Sequence, residues 1–461
     1  MKKIVASVGL VALSASGLQA QSTESAKPWS VSATLRGFYD DNVTTTSGAG
    51  RQSSFGFQVS PSIGVGWDLQ QTTISLNYTY QLNYYEKKPA GNADNYDQTH
   101  IFLAALTHAF SPRYNVVVQD SFVIGQEPDL LRTRNTALST FQRIPGDNIR
   151  NDASIIFNAK LTKLFGLEAG YQNVIFDYAD SGEGFIEGPA FFDPISKTFV
   201  RIDRVDPSHS GLLDRIEHTI HLDGRWKVQP ETDAVVGYSF SQVNYTGNEL
   251  IAGDTLVNDA TGAVITDATI KSESRDLREH RFYVGVDHTF PRNMSASVRV
   301  GARYAEYYKD PAGNGDGWGP FAQGSLQWNY APESNVQLGV RHDLSSTDIA
   351  GTTTGSPGTT FNPNTSFTQS AESTVIFGSV EHRITPMLFG SLTGQFQNSS
   401  FNGGTFNSES ERYFLVGLNL EYRFNPHFSA DVGYNYDRLD SDVGGRSFDR
   451  NRVYMGVKAR Y

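Results

Sequence analysis

Serine, histidine and aspartate stand together in one short segment of the chain, Asp206-Pro207-Ser208-His209-Ser210. Residues of these types can form a nucleophile and its general base. The segment lies in a predicted loop, however, and no strand would fix the geometry of the three side chains. Aspartate and serine beside proline are common turn formers. The segment therefore predicts a turn, and we expect no enzyme.

Two other groups have residue types that bind metals. Residues 310–317 are rich in Asp, Asn and Gly, but they lack the spacing and the final Glu of an EF-hand. We expect a tight external loop there, with a calcium site as the alternative. His218 and His221 would point to opposite faces of a strand, so they cannot share a metal by themselves. The chain has no cysteine, which excludes thiolate chemistry and Cys-based zinc sites. We expect no cofactor and no metal centre.

Charged side chains recur at alternate positions of runs whose other positions are apolar, as in Val298-Arg299-Val300. Side chains of a strand alternate between two faces, so each run has one wet face and one dry face. If the dry face meets lipid, a Lys or Arg placed there near the midplane costs about 2–4 kcal/mol, so the charged rows should face inward. The side chains predicted to line a pore are Arg36, Lys160, Glu168, Glu217, Arg225, Arg281, Asp287, Arg299, Arg303, Arg341, Asp343 and Asp431.

Short proline-containing turns separate these runs. Each turn joins two alternating stretches of about 12 residues, and longer segments rich in Gly, Asp, Asn and Ser lie between the pairs. Short turns alternating with long loops are typical of a membrane-spanning β-barrel, with the short turns on the periplasmic side. The six turn segments are Phe110-Ser111-Pro112, Val228-Gln229-Pro230, Phe290-Pro291-Arg292, Tyr330-Ala331-Pro332, Ile384-Thr385-Pro386 and Phe424-Asn425-Pro426.

The predicted fold is all-β, a transmembrane antiparallel β-barrel of eighteen strands, with sixteen as the alternative because two runs are weakly patterned. An even number places both chain ends on the periplasmic side. A soluble β-sandwich or propeller is the competing fold, but its strands would normally be shorter. The predicted strands are 30–41, 54–67, 72–85, 97–110, 114–126, 150–163, 166–178, 214–228, 232–245, 276–290, 294–308, 318–330, 335–347, 370–384, 388–400, 410–424, 428–440 and 448–461.

The N-terminus has the pattern of a secretory signal peptide. Lys2 and Lys3 precede a short apolar core, and cleavage is predicted after Ala20. The expected organisation is therefore a signal peptide at 1–20, a short extension at 21–29 and the barrel at 30–461. This places the protein in the outer membrane of a Gram-negative-type bacterium, where outer-membrane lipid surrounds it.

The sequence resembles a known family at three features. These are Tyr39-Asp40-Asp41-Asn42-Val43 at the end of the first strand, the repeated aromatic-x-Pro turns and the terminal Tyr461. Together they are similar to the outer-membrane β-barrel porins of type 2, over roughly residues 30 to 461. The resemblance implies a barrel in the outer membrane and carries no catalytic residues. Some family members are thought to serve in exopolysaccharide or capsule export. A terminal aromatic strand also resembles the signal by which the barrel-assembly machinery recognises its clients.

The leading functional expectation is a porin-like channel for passive passage of small hydrophilic solutes. The first alternative is an outer-membrane component of polysaccharide export, and the second is a structural or adhesive barrel whose loops bind a partner. The net charge of −11 and the absence of basic tracts argue against a nucleic-acid partner. Charges of both signs inside the barrel do not suit steep ion selectivity, which needs a ring of one sign.

One long loop has the composition of a constriction. Residues 127–149 combine charged with apolar side chains, so this loop can fold inward and pack on the wall. An ordinary surface loop is the alternative. The charged residues of the predicted constriction are Glu127, Asp129, Arg132, Arg134 and Arg143. The loops at 179–213 and 246–275 are longer, and they are long enough to close the outer mouth.

Overall fold

Strands account for most of the described residues. A computed structural model describes residues 27–88, 94–126, 147–180, 182, 184–310, 315–351, 358–361 and 367–461. The strands, numbered in chain order, are β1 Trp29–Asp40, β2 Ser54–Asp68, β3 Thr72–Tyr85, β4 Tyr96–Ser111, β5 Tyr114–Gly125, β6 Asn148–Lys160, β7 Phe165–Tyr178, β8 Gly184–Glu187, β9 Phe191–Asp193, β10 Thr198–Asp206, β11 Arg215–Gln229, β12 Thr232–Tyr245, β13 Leu250–Ala252, β14 Asp254–Asn258, β15 Val264–Asp267, β16 Ile270–Lys271, β17 Leu277–Phe290, β18 Met294–Glu306, β19 Gly317–Ala331, β20 Ser334–Ser345, β21 Ser370–Arg383, β22 Leu388–Asn402, β23 Ser410–Asn425, β24 Phe428–Ser441 and β25 Phe448–Arg460. One short helix, α1, spans His209–Leu213.

Within the described residues, eighteen of these strands form a single closed antiparallel sheet. They are β1 to β7, β11, β12 and β17 to β25, and each pairs with the next one along the chain. The first strand, β1, pairs with the last, β25, and closes the barrel. The predicted fold class and strand number are confirmed. The largest boundary difference is at β6, which was predicted to end at 163 and ends at Lys160.

The wall of the barrel follows the alternation of the sequence. Leu35, Val300 and Val457 are about half exposed and lie on the outer surface. The residues between them face the lumen, because successive side chains of a strand point to opposite faces. Among the described residues, no helix is long and apolar enough to cross a lipid bilayer.

Regular structure outside the wall is concentrated in two external loops. The loop between β7 and β11 holds β8, β9, β10 and α1, and the loop between β12 and β17 holds β13 to β16. Strands from both loops combine in a five-stranded sheet of β8, β9, β10, β14 and β15, in which β10 pairs with β14. A second pair, β13 and β16, lies beside it. The two loops are therefore one structural unit on the external side.

The Tyr39-to-Val43 segment holds the first strand to the last. Asp40 is fully buried and accepts a hydrogen bond from Arg452 Nε at 2.9 Å. The backbone N–H of Asp41 donates to the carbonyl of Asn451 at 3.1 Å, and Asn451 donates back to Asp41 at 2.7 Å. Asn42 is also fully buried and donates to the carbonyl of Asp449 at 2.8 Å. The motif thus extends the β1–β25 pairing beyond the end of β1.

One ladder of the barrel stops early. The pairing of β19 with β20 ends at Ala322 and His342, apart from the turn at its other end. Strand β19 nevertheless continues beside β18 as far as Gly317. Strand β20 continues beside β21 as far as Ser345. The wall therefore has a seam on its external side that main-chain hydrogen bonds do not close.

Candidate functional site

All twelve side chains predicted to line a pore occupy inward positions of their strands. Arg299 and Arg303, for example, alternate with Val298 and Val300, which are about half exposed on the outer surface. Two of the twelve lie at the margins of the lining. Lys160 is exposed beside the periplasmic turn, and Glu217 accepts a hydrogen bond from Arg215 at 2.7 Å. That these side chains line a conducting path remains a prediction.

A first chain of ion pairs crosses β7, β11, β17 and β18. Arg225 of β11 contacts Glu168 on one side at 2.8 Å and Asp287 on the other at 2.9 Å. Arg299 contacts the other oxygen of Asp287 at 2.8 Å. All four side chains are largely buried, so each charge depends on its partners rather than on water.

A second chain lies on β17, β18 and β20. Arg281 contacts Glu279 at 2.6 Å and Asp343 at 3.3 Å. Arg341 contacts the same carboxylate of Asp343 at 2.8 Å, and Arg303 approaches its other oxygen at 3.9 Å. Elsewhere on the wall, Arg36 of β1 donates to Asp431 of β24, two strands away, at 2.8 Å. Because opposite charges alternate along these chains, the lining does not form a ring of one sign.

Glycines on neighbouring strands let the long cationic side chains lie flat on the wall. Arg299 crosses Gly285, where an added Cβ would lie only 2.5 Å from the arginine Cδ. Arg303 crosses Gly319 in the same way, with 2.7 Å between such a Cβ and the guanidinium carbon. A larger residue at either glycine would lift the guanidinium off the wall and into the lumen. The glycines therefore determine how far the charges project.

Uncharged polar groups line other parts of the lumen. On β2 and β3, Gln58 donates to Asn83 at 3.0 Å, and Thr79 donates to Ser62 at 3.0 Å. On β20 to β22, the hydroxyls of three serines, Ser345, Ser373 and Ser399, form a row with separations of 2.7 and 2.8 Å. The lumen lining thus combines chains of ion pairs with rows of amides and hydroxyls.

Arg275 joins external loops above the lumen. It is 1% exposed, and its guanidinium donates to carbonyls of Leu212, Thr347, Ile349 and Thr368. The bond to Thr368 is 2.8 Å and the bond to Thr347 is 3.1 Å. Burial lowers the pKa of Arg275. A cation in one loop that binds carbonyls of two other loops holds the three together, and its removal would leave several buried carbonyls without their donor.

Apolar side chains of the same loops form a dry core around this arginine. The core joins the top of β7 to the loops that precede β11, β17 and β21. Its members are Tyr178, Leu212, Leu213, Ile251, Ala252, Ile270, Ala350 and Phe367. We call residues 209–214, 250–252, 270–275 and 347–351, together with Phe367, the external cap.

The cap is also tied to the far side of the barrel. Arg446, between β24 and β25, contacts Asp348 of the cap at 2.9 Å and Glu411 at 2.5 Å. Burial opposes the charge of Arg446, but these two carboxylates outweigh it and raise the pKa. In the described residues the cap therefore spans the mouth from β7 round to β25.

The residues considered for catalysis have structural roles. Ser208 caps α1 by accepting a hydrogen bond from the N–H of Gly211 at 2.9 Å, and its hydroxyl donates to Glu249. His209 contacts Asp180 at 2.9 Å. These contacts fix a helix start and leave the serine hydroxyl committed to a carboxylate.

The other candidate residues lie apart. His218 faces outward and contacts the Tyr171 hydroxyl at 2.8 Å, whereas His221 faces the lumen, 3.5 Å from Glu168. Among the described residues, no three His, Cys, Asp or Glu side chains are placed to hold a metal. The predicted constriction residues Glu127, Asp129, Arg132, Arg134 and Arg143 lie outside the described residues.

A closed antiparallel barrel with an apolar outer surface and a polar lumen is the architecture of outer-membrane β-barrels, porins among them. The family model described as "Putative beta-barrel porin 2" matches residues 272–461, the part of the chain that contains β17 to β25. This match confirms the resemblance for that part of the chain. It also bears out the expected porin class and its outer-membrane location.

Several solved structures are similar to this chain at low sequence identity. OpdK of Pseudomonas aeruginosa with vanillate is 11% identical, with a TM-score of 0.42, and the match covers 94% of this chain and 99% of that one. OccAB4 of Acinetobacter baumannii is 12% identical, with a TM-score of 0.40 and coverages of 94% and 99%. OccK9 (OpdG) of Pseudomonas aeruginosa is 11% identical, with a TM-score of 0.40 and coverages of 94% and 98%. No curated protein matches the sequence.

Proposed function

We propose that the protein is an outer-membrane channel for the passive passage of small hydrophilic solutes. The observation that carries the proposal is the closed barrel whose inward rows are charged or polar while its outward rows are apolar. An eighteen-stranded barrel has room for an aqueous path. Because cations and anions alternate along the lining, we expect weak preference for either sign of ion.

The external cap would control this passage. Its dry core and the carbonyls bound by Arg275 connect loops rooted on widely separated strands. A solute that enters from outside must pass the cap or displace part of it. We therefore expect the native protein to conduct weakly, and to conduct more when the cap is loosened.

Planar-bilayer recording tests both statements, with Arg275→Ala as the loosened variant. We expect a small steady conductance for the native protein and a several-fold larger one for the variant, because several buried carbonyls lose their donor. Arg278→Ala is the matched control. Arg278 stands three residues away, where its guanidinium lies 4.2 Å from the ring centre of Tyr308 and outside the cap.

Three results would count against the proposal. Absence of current from both the native protein and Arg275→Ala would argue against a channel. Equal conductance of all three proteins would argue against control by the cap. Strong selectivity for one sign of ion would contradict the balanced lining.

A second function, binding of an external partner, is favoured by one observation. In the five-stranded external sheet, Phe192 and Phe199 are paired across strands and are 55% and 59% exposed. Phe185 lies on the same sheet and is also exposed. Large exposed aromatic groups often mark a contact surface. A protein that binds a surface partner but never conducts would support this function over the channel.

A further inference from the structure

The seam between β19 and β20 leaves two strand edges without partners in the wall. Residues 317–321 of β19 pair only with β18, and residues 343–345 of β20 pair only with β21. In hydrocarbon, an unpaired backbone group costs several kcal/mol. A seam left open at this depth needs a local cause.

The sequence at the seam prevents the two strands from pairing. Pro320 has no N–H to donate and interrupts any ladder on that side of β19. The N–H of Leu344, on the other edge, donates instead to the side chain of Asp343 at 2.9 Å. Gly317 and Gly319 flank the proline and provide no side chains to pack against β20. Both edges are therefore poorly suited to main-chain pairing.

The two edges overlap rather than meet. Leu344 has the outward parity of β20, yet it packs with Ala305 and Tyr307, which belong to the inner face of β18 and the residues that follow it. Arg303 faces the lumen, and its guanidinium lies 3.5 Å from Glu372, which has the outward parity of β21. Inward side chains of β18 can touch the outward positions of β20 and β21 only if these two strands pass on the lumen side of β18.

A cavity of about 530 Å³ borders the overlapping edges and extends beneath the external loops, where Phe367, Gln369 and Asn407 line it. Its polar side holds Arg303 and Glu372, and its apolar side holds Ala305 and Leu344. Trp318, at the outer rim, is 68% exposed. Glu372 also contacts His342 on the outer face at 2.8 Å. A line of three charged or polar side chains, Arg303, Glu372 and His342, thus runs from the lumen to the outer surface.

We call the cavity at the edges of β19 and β20 the slot. We propose that the slot is a lateral portal, through which a small amphipathic solute moves between the lumen and the outer leaflet of the membrane. The proposal rests on the proposed channel function, and it gives the solute an exit where the cap covers the direct route. Because Arg303 and Glu372 neutralise each other, the polar end of the solute is uncharged or zwitterionic. Its apolar end follows Leu344 and the exposed ring of Trp318 into lipid.

Single cysteines in this cysteine-free chain test the portal directly. Ala305→Cys places a thiol in the slot, and Ala371→Cys places one on the inner face of β21, where the ladder with β20 is intact. Both alanines are 3% exposed, so the two variants are matched in size and burial. The probe is N-dodecylmaleimide dissolved in the bilayer of vesicles that contain the full chain.

We expect the lipid-borne maleimide to react with Cys at 305 at least about tenfold faster than with Cys at 371, because only the slot opens locally toward lipid. Equal rates at the two positions would overturn the portal. Leu344→Cys, on the opposite edge of the slot, should react as fast as the first variant, and it provides a second reading if Ala305→Cys fails to fold. Slow reaction at both slot positions would also overturn the portal.

Conductance of the same proteins is measured in parallel. If the protein conducts but the slot cysteines are not labelled from the lipid, the channel proposal stands and the portal proposal is rejected. Labelling without current would reject the channel, and with it the transport role of the slot. The two failures are therefore distinguishable.

Discussion

The barrel contains two seams that end in opposite ways on the external side. At the β1–β25 seam the ladder runs from Ser32 to Asp40 and is then extended by Asp41 and Asn42. At the β19–β20 seam the ladder stops at Ala322, and each strand continues with only one neighbour. The first seam is reinforced by buried side chains, and the second is bridged only by side chains that cross an overlap.

From chain connectivity alone, the β1–β25 seam would be expected to be the weaker of the two. Strands β1 and β25 are at opposite ends of the chain, so bringing them together has the largest loop-closure cost, whereas β19 and β20 are joined by a short turn. The comparison teaches that local sequence decides where the wall opens. A buried Asp and Asn strengthen one seam, and a proline between two glycines weakens the other.

The largest expected effect comes from breaking the reinforced seam with Asp40→Ala. The substitution leaves the buried guanidinium of Arg452 without the carboxylate that now lies 2.8 Å away. Removing one member of a buried ion pair costs about 3–5 kcal/mol. Urea unfolding in lipid vesicles should show a loss of this size in the free energy of unfolding.

Asp68→Ala is the control for that measurement. Asp68 is exposed at a periplasmic turn, where it accepts a hydrogen bond from Thr73 at 3.1 Å. A change below about 0.5 kcal/mol is expected for such a surface position. If both variants unfold at the same urea concentration as the native protein, the buried Asp40–Arg452 ion pair contributes nothing to closure of the barrel.

An intermediate effect is expected where Asp214 connects the cap to β7. Its carboxylate accepts hydrogen bonds from the N–H of Tyr178 at 2.7 Å and from the Ser210 hydroxyl at 2.6 Å. Burial raises the pKa of Asp214 to about 6, despite these bonds. The folded state therefore binds this proton more tightly than the unfolded state, whose pKa is near the ordinary value of 3.8.

The sign of the pH dependence follows from that difference. Stability contributed by this group is greatest below about pH 4 and is lost as pH rises to about 6, by at most about 3 kcal/mol. Asp214→Asn should remove this part of the pH dependence between pH 4 and 6.5. Unfolding midpoints recorded across that range will show it, and identical pH profiles for variant and native protein would contradict the assignment.

The smallest effect is expected from repairing the open seam. Pro320→Val restores an N–H on β19, and a new main-chain hydrogen bond contributes about 1 kcal/mol. In the Ala305→Cys background, labelling by the lipid-borne maleimide should fall several-fold. Pro61→Val is the control, since Pro61 interrupts the β2–β3 ladder only locally and pairing continues on both sides of it. Equal changes in labelling for the two proline variants would show that Pro320 does not hold the seam open.

Most of the fold could be predicted from sequence because lipid imposes a period of two on every strand. All eighteen strands and the inward positions of residues such as Arg299 and Asp343 follow from that rule. The length of the loops at 179–213 and 246–275 is enough to predict that they can cover the mouth. The contacts that hold the cap together could not be predicted, because Arg275 and Arg446 stand in polar loops and resemble other loop arginines until tertiary contacts are known. A signal for the open seam was present, since a proline inside a predicted central strand argues against continuous pairing.

The contacts of Asp40 and Asn42 with β25 have a consequence for the order in which the barrel assembles. Arg452 belongs to the last strand, so until that strand arrives Asp40 and Asn42 have no cation or carbonyl from β25 to satisfy them. A barrel intermediate that lacks β25 would have two polar side chains, Asp40 and Asn42, without their β25 partners at its rim. Insertion of the final strand is therefore stabilised by these side-chain contacts as well as by main-chain pairing. The closed barrel differs from every shorter intermediate in having these contacts.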